Sequence, residues 1–187
     1  MASKRRGCIG RCDSGAVAVE TAVVSTILVT LLFGIVDSSL LFKDSMSVSA
    51  AARAGARMGA SEPRVAGFAQ DSANQVTNSL SDLNPGNLQA VWVYKTTAAT
   101  GSPPAACNST NSCVPFTWNG TQLTTASSSN WLNTNQNACS GDPARDSLGV
   151  YVEYKHTSPL GFFFNNKMIS ESTVMWIEPT TSLICHP

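Results

Sequence analysis

The chain has 187 residues, no net charge at neutral pH and only 13% charged residues. A protein that grips nucleic acid needs a basic surface, so this balance argues against nucleic acid as a partner. Once an apolar N-terminal segment is set aside, about 150 residues remain, which is enough for one modest domain.

The N-terminal region combines a short basic stretch with a long apolar run. Residues 1–15, the expected leader, carry four Lys or Arg and one acid, Asp13. The apolar run covers residues 16–36 and, at about 1.5 Å per residue, makes a helix of roughly 30 Å, the thickness of a bilayer's hydrocarbon core. The basic flank predicts a cytoplasmic N-terminus, a single membrane pass and an extracytoplasmic C-terminal part.

Glu20 stands inside the apolar run. A carboxylate in a membrane segment is costly and is usually kept for a function, with a partner that offsets the cost. If the chain is cleaved after Gly15, Ala16 becomes the new N-terminus and Glu20 the fifth mature residue. The α-amine of one subunit can then meet Glu20 of a neighbour shifted along the helix axis, which compensates the buried charge only on assembly.

A basic leader that ends in glycine, an apolar helix that follows at once, and a glutamate at the fifth mature position together resemble a type IV prepilin. Three stretches narrow the resemblance: GAVAVE at 15–20, LFGIVD at 32–37 and AARAGARMGA at 51–60. They resemble the TadE/TadG-like proteins, the pilin-like components of the bacterial Flp, or tight-adherence, pilus system. The match covers about the first third of the chain.

The resemblance implies a minor pilin or pseudopilin rather than an enzyme. A prepilin peptidase would cleave between Gly15 and Ala16, and Glu20 would be the assembly carboxylate. The expected partners are that peptidase, other pilin-like subunits, the pilus assembly machinery and the membrane, with no cofactor or small-molecule substrate. Because the major Flp pilin is little more than the helix, a chain with a folded C-terminal part fits the minor, TadE-like role.

The helix continues beyond the apolar run over residues 37–60, since no proline occurs before Pro63. A stripe of small residues follows at four-residue steps: Ser47, Ala51, Gly55 and Gly59. Small side chains allow another helix or a sheet to approach closely. The spacing fits packing between subunits and docking on the chain's own domain equally well.

Residues 61–187 predict an exterior α+β domain. Apolar residues at three- and four-residue steps indicate an amphipathic helix over 63–82. Segments rich in β-branched and aromatic residues predict a small, about three-stranded antiparallel sheet at 88–95, 148–155 and 172–178. A Ser/Thr/Asn-rich insertion at about 98–147 separates the first two strands and is expected to be held by disulfides.

Four cysteines fall in the exterior domain: Cys107, Cys113, Cys139 and Cys185. Their even number predicts disulfides, and four cysteines permit three pairings. We favour Cys107 with Cys113, closing a small loop, and Cys139 with Cys185, because a long-range link stabilises a fold more.

The segment LGFFF at 160–164 is strongly apolar for a loop. It suits a contact with a membrane surface or a partner, but covering the core at the end of the sheet is the favoured interpretation. The two histidines, His156 and His186, lie in no metal-ligand spacing, so neither a metal site nor a catalytic site is predicted.

The competing interpretation is an uncleaved membrane-anchored, or a conventionally secreted, extracytoplasmic binding module. Small-residue patterns suited to a signal peptidase occur at 50–54, but they lie well beyond an apolar run that is itself longer than a usual signal sequence. This interpretation also leaves Glu20 unexplained.

Overall fold

The computed structural model describes residues 13–96, 101–108, 112–126, 131–159, 161, 163–180 and 185. Most of the expected leader, parts of the polar insertion, Leu160, Phe162 and His186 therefore lie outside the described residues.

The long N-terminal helix, α1, spans Asp13–Ala60 and changes its surroundings near the middle. Residues 16–36, called here the apolar half of α1, are almost all exposed. From Asp37 onward one face is buried, at Asp37, Val48, Ala51, Ala52, Gly55, Ala56, Gly59 and Ala60. The second half of α1 is thus part of the domain core, whereas the apolar half extends away from it.

The second helix, α2, spans Phe68–Ser79 and begins later than the periodicity predicts. Arg64 has φ 60° and Gly67 has φ 95°, and these left-handed conformations interrupt the backbone ahead of the helix. Pro63 therefore lies in the connection between α1 and α2 and does not open α2, contrary to the prediction.

Five antiparallel strands form one sheet: β1 (Leu88–Thr96), β2 (Cys113–Trp118), β3 (Leu123–Thr125), β4 (Ser147–His156) and β5 (Lys167–Trp176). Their order is β3-β2-β1-β4-β5, which makes β1 central. The α+β class and the three predicted strands are confirmed, but a count of three was too low. The two additional strands, β2 and β3, belong to the segment predicted as a polar insertion.

The composition of β2 and β3 explains why they were missed. Pro115 lies inside β2, paired with Trp92 of β1, and a proline argues against a strand with neighbours on both sides. Its carbonyl still accepts a hydrogen bond from the N–H of Ala126 at 2.8 Å. The other strand, β3, has only three residues and gives no readable alternation.

The sheet packs on α1 through β4 and β5, and β4 runs antiparallel to the helix. Leu148 lies against Gly59 and, two residues later, Val150 lies against Gly55. The end of β4 therefore points toward the apolar half of α1.

The small-residue stripe packs within the chain at its two glycines. A Cβ atom added at Gly55 would lie 2.5 Å from Cγ2 of Val76 and 3.0 Å from the carbonyl oxygen of Ser72. The Ser72 hydroxyl donates to the Gly55 carbonyl at 2.8 Å, which fixes α2 at this short distance. Ala51 is fully buried and Ser47 half-buried. The stripe was expected to pack either against another subunit or against the chain's own domain. At Gly55 and Gly59 it packs against the chain's own domain.

Two disulfides close the sheet's connections. Cys107 is bonded to Cys113 at the start of β2, across a separation of 6 residues. Cys139 is bonded to Cys185 across 46 residues, and the N–H of Ala138 donates to the Cys185 carbonyl at 3.0 Å. The second bond ties residue 185 to the segment that leads into β4.

We expect Gly55→Ala to lower the free energy of unfolding by about 1–2 kcal/mol. Overpacking against α2 costs about 1–3 kcal/mol, and the better helix propensity of alanine returns about 1 kcal/mol at most. Urea unfolding in detergent, followed by tryptophan fluorescence, measures this change because all four tryptophans lie outside α1. Gly34→Ala is the matched control, since a Cβ there meets Phe163 only at 3.9 Å. Equal stabilities for the two variants would contradict the close packing.

Candidate functional site

The apolar half of α1 is compatible with a single-pass membrane anchor. Within the described chain, one helix is long and apolar enough to cross a bilayer, and its most apolar stretch has mean hydropathy 2.2 with none of it buried. The Thr26 hydroxyl donates to the Ala22 carbonyl at 2.9 Å, and the Thr30 hydroxyl to the Thr26 carbonyl at 2.8 Å. Such internal hydrogen bonds are what polar groups need where no water is present.

Glu20 lies on the exposed surface of this apolar half. The part of the chain that the structure describes contains no hydrogen bond or ion pair to its carboxylate. In a bilayer such a carboxylate needs a partner that offsets its cost.

The proposed cleavage position lies near the N-terminal end of the described part of α1. Gly15 and Ala16 are both exposed, and a Cβ added at Gly15 would meet nothing within 4 Å. At about 1.5 Å per residue, Glu20 lies roughly 6 Å further along the axis than Ala16. The structure thus keeps these three residues in one short segment, far along the helix from the small-residue stripe.

Asp37, at the end of the apolar half, is completely buried. Its carboxylate accepts hydrogen bonds from the Ser158 hydroxyl and from the backbone N–H groups of Phe163, at 3.1 Å, and Phe164, at 2.8 Å. The Ser158 hydrogen bond holds the pKa of Asp37 below its ordinary value; burial opposes this effect, and the two N–H groups and the nearby His156 add to it. Asp37 therefore fixes the loop between β4 and β5 to α1.

A second carboxylate, Asp44, binds the end of β4. Its Oδ2 lies 2.6 Å from Nδ1 of His156, a residue that is 1% exposed. Nε2 of His156 is buried without a hydrogen-bond partner among the described residues. Asp37 and Asp44 are two helical turns apart, so both carboxylates lie on the face of α1 that meets the domain.

The position of Asp37 in the sequence indicates that its side chain needs hydrogen-bond donors. A carboxylate directly after an apolar run must either reach water or find donors inside the fold. Its donors come from residues more than 120 positions later, at Ser158, Phe163 and Phe164. The sequence shows the need for donors but not their identity.

The described phenylalanines of the aromatic loop at 160–164, Phe163 and Phe164, do not cover the core, so the favoured interpretation was wrong for them; Leu160 and Phe162 lie outside the described residues. Phe163 is 53% exposed and Phe164 is 37% exposed. The Phe163 ring instead lies beside Gly34 on the apolar half of α1. The reason is the hydrogen bonding to Asp37, which turns the loop toward α1 and away from the sheet.

A comparison with protein families identifies the helix. Residues 15–57 match the family model described as TadE-like protein. The chain carries a TadE-like segment. This family is associated with the Tad pilus, and the matched residues contain Glu20, Asp37 and Asp44. The chain gives no significant match to any curated protein or to any solved structure.

The TadE-like match ends near the C-terminal end of α1, so it leaves out α2 and the sheet. The segment includes both the apolar half and most of the face that α1 presents to the domain. The family therefore accounts for the helix, while the domain has to be understood from its own contacts.

We expect the stability that Asp37 supplies to the fold to disappear in acid. Because the folded pKa is below the ordinary value of 3.8, the charged carboxylate stabilises the fold fully above that pH. This contribution is lost as the pH falls through the lower folded pKa. The gap in urea midpoint between the wild type and Asp37→Asn should accordingly be constant near neutrality and shrink in acid.

The exposed carboxylate Asp82 provides the control for this pH series. Asp82→Asn should follow the wild type at every pH. A gap for Asp37→Asn that stays constant or widens below the ordinary pKa of aspartate would contradict the proposed role of the charge.

Proposed function

We propose that the protein is a TadE-like minor pilin that a prepilin peptidase processes after Gly15 and that takes part in assembling a Flp-type pilus for adhesion or secretion. The observation that carries this proposal is Glu20, which lies in an exposed apolar helix, has no partner among the described residues and follows Gly15 by five positions. The match of residues 15–57 to the TadE-like model supports it.

The proposed topology has a cytoplasmic N-terminus and an extracytoplasmic domain. Basic residues before the apolar half favour this orientation. The two disulfides support it as well, since such bonds persist in oxidising compartments outside the cytoplasm.

Processing after Gly15 is sterically feasible in the isolated subunit. The bond to Ala16 lies at the N-terminal end of the described part of α1, more than twenty residues before the helix is buried against the domain at Asp37. No side chain of the described chain comes within 4 Å of the position where a Cβ of Gly15 would be. A peptidase can therefore bind this segment in an extended form without disturbing the domain.

Assembly would then be driven by charge neutralisation in the bilayer. The new α-amine of Ala16 adds its charge to the positive end of the helix dipole, and this end attracts the carboxylate of a neighbour's Glu20. Two unpaired charges cost more in lipid than the same charges paired, so the bundle is favoured over the single helix. The exposed apolar half provides the surface for this contact with other pilin-like subunits.

Processing is tested by sequencing the N-terminus of protein from cells with and without the peptidase. We expect Ala16 as the first residue only when the peptidase is present. Gly15→Leu should abolish processing without altering the fold, because position 15 makes no contact in the domain. Gly10→Leu, within the leader, should be processed normally. A wild-type chain that keeps Met1 in the presence of the peptidase would favour the uncleaved membrane-anchored binding module instead.

The role of Glu20 is tested by Glu20→Gln, which keeps the shape of the side chain and removes its charge. We expect normal membrane insertion and cleavage but at least about tenfold less protein in the sheared pilus fraction. Breaking a buried ion pair costs about 3 kcal/mol or more, and about 1.4 kcal/mol already corresponds to a factor of ten. Thr21→Val, at the adjacent exposed position, is the control and should assemble normally. Wild-type assembly by Glu20→Gln would remove Glu20 from the mechanism.

A further inference from the structure

The loop between β4 and β5 lies beside the apolar half of α1 and not beside the sheet. The Phe163 ring approaches Gly34, three residues before Asp37, which is about 4.5 Å along the axis. It also lines a groove that reaches back along α1 to Ser25, about 18 Å from Asp37. Apolar side chains of interfacial segments enter a bilayer to a depth of about 5–10 Å, and the Phe163 ring lies close to the shallow end of that range.

Three backbone N–H groups of this loop donate hydrogen bonds to side chains of the protein. Asp37 accepts the N–H groups of Phe163 and Phe164, and the Ser158 Oγ accepts the N–H of Gly161 at 3.2 Å. A non-helical segment enters the hydrocarbon region only where protein groups satisfy its polar atoms. The carboxylate of Asp37 therefore supplies the acceptor that the N–H groups of Phe163 and Phe164 need where these residues meet lipid.

The groove between the loop and α1 is lined mainly by apolar groups. Its volume is about 440 Å³, and it is lined by Ser25, Thr26, Val29, Thr30, Phe33 and Phe163. The hydroxyls of Thr26 and Thr30 both donate to carbonyls of the preceding turn, which leaves the methyl groups of these threonines to face the groove. The groove is continuous with the exposed apolar half, so its natural occupant is the material that surrounds that helix.

We propose that the aromatic loop is inserted in the outer leaflet of the membrane and that the groove between Phe163 and α1 holds a phospholipid acyl chain. This inference rests on the single-pass anchoring proposed above. The loop gives the domain a second contact with the bilayer next to the helix, and two contacts restrict how the domain can tilt against the membrane before assembly.

The test uses the full chain in phosphatidylcholine vesicles with the photoreactive residue p-benzoylphenylalanine at one position at a time. Position 163 reports on the loop and position 32, where Leu32 is 60% exposed, reports on the membrane helix. Position 132, where Leu132 is 54% exposed near the start of α2, is the matched apolar control. After irradiation, mass spectrometry identifies lipid adducts.

We expect phospholipid adducts at positions 163 and 32 but not at position 132. Adducts at 32 without adducts at 163 would overturn the loop inference and leave the anchoring intact. No adducts at either position would overturn both. A crosslink from position 163 to a second copy of the chain would also overturn the inference, because it would assign the groove to a neighbouring subunit.

A second variant separates the placement of the loop from the reactivity of the probe. Asp37→Asn, combined with the probe at 163, replaces one acceptor of the loop by a donor and should reduce lipid adducts at least about threefold. Adducts at position 32 should not change, and Asp82→Asn should have no effect at either position. Unchanged adducts at 163 in Asp37→Asn would show that Asp37 does not hold the loop in the membrane.

Discussion

The contact between α1 and β4 determines where the other elements lie. Alternate residues of a strand are about 6.6 Å apart, and four residues of a helix rise about 6 Å. A stripe at every fourth position of α1 therefore stays opposite alternate residues of β4, as Leu148 against Gly59 and Val150 against Gly55 show. The glycines bring the strand and α2 close to the helix axis. The same register carries the end of β4 along α1 until His156 meets its carboxylate partner.

Because of that register, Asp37 has hydrogen-bond partners within the domain, whereas Glu20 has none among the described residues. Asp37 is reached by the loop that follows β4 and receives three hydrogen bonds inside the chain. Glu20 lies about 25 Å further along the helix, where the described domain does not extend. One carboxylate thus holds the fold together, and the other is left for a partner. This difference, and not the presence of an acid in an apolar helix as such, separates a structural residue from the proposed assembly residue.

Local patterns predicted what depends on local physics. The apolar run and the absence of proline before Pro63 were enough for α1, and β-branched segments were enough for β1, β4 and β5. The strand β2 was missed because Pro115 breaks the expected pattern, although its neighbours complete the ladder. The partner of the small-residue stripe was not predictable, because β4 is about 90 residues away and periodicity does not identify what packs on a face.

The aromatic loop was misinterpreted for a related reason. Phenylalanines are usually buried in the core, but here the carboxylate of Asp37 accepts hydrogen bonds from the backbone of Phe163 and Phe164 and thereby determines where they lie.

The TadE-like segment requires particular contacts from only a few parts of the domain. α1 meets β4 and β5, whereas β2 and β3 lie on the other side of β1 and contact α2 or each other. A domain on this helix needs a strand with alternating apolar residues opposite Gly55 and Gly59, and a loop that offers donors to Asp37. The segment from β2 to the start of β4 meets neither requirement; one disulfide ties it to Cys107, and the other ties it to Cys185 beside the chain that follows β5. Changes on the exposed surface of this segment therefore leave unaltered the strand that packs on Gly55 and Gly59 and the donors to Asp37.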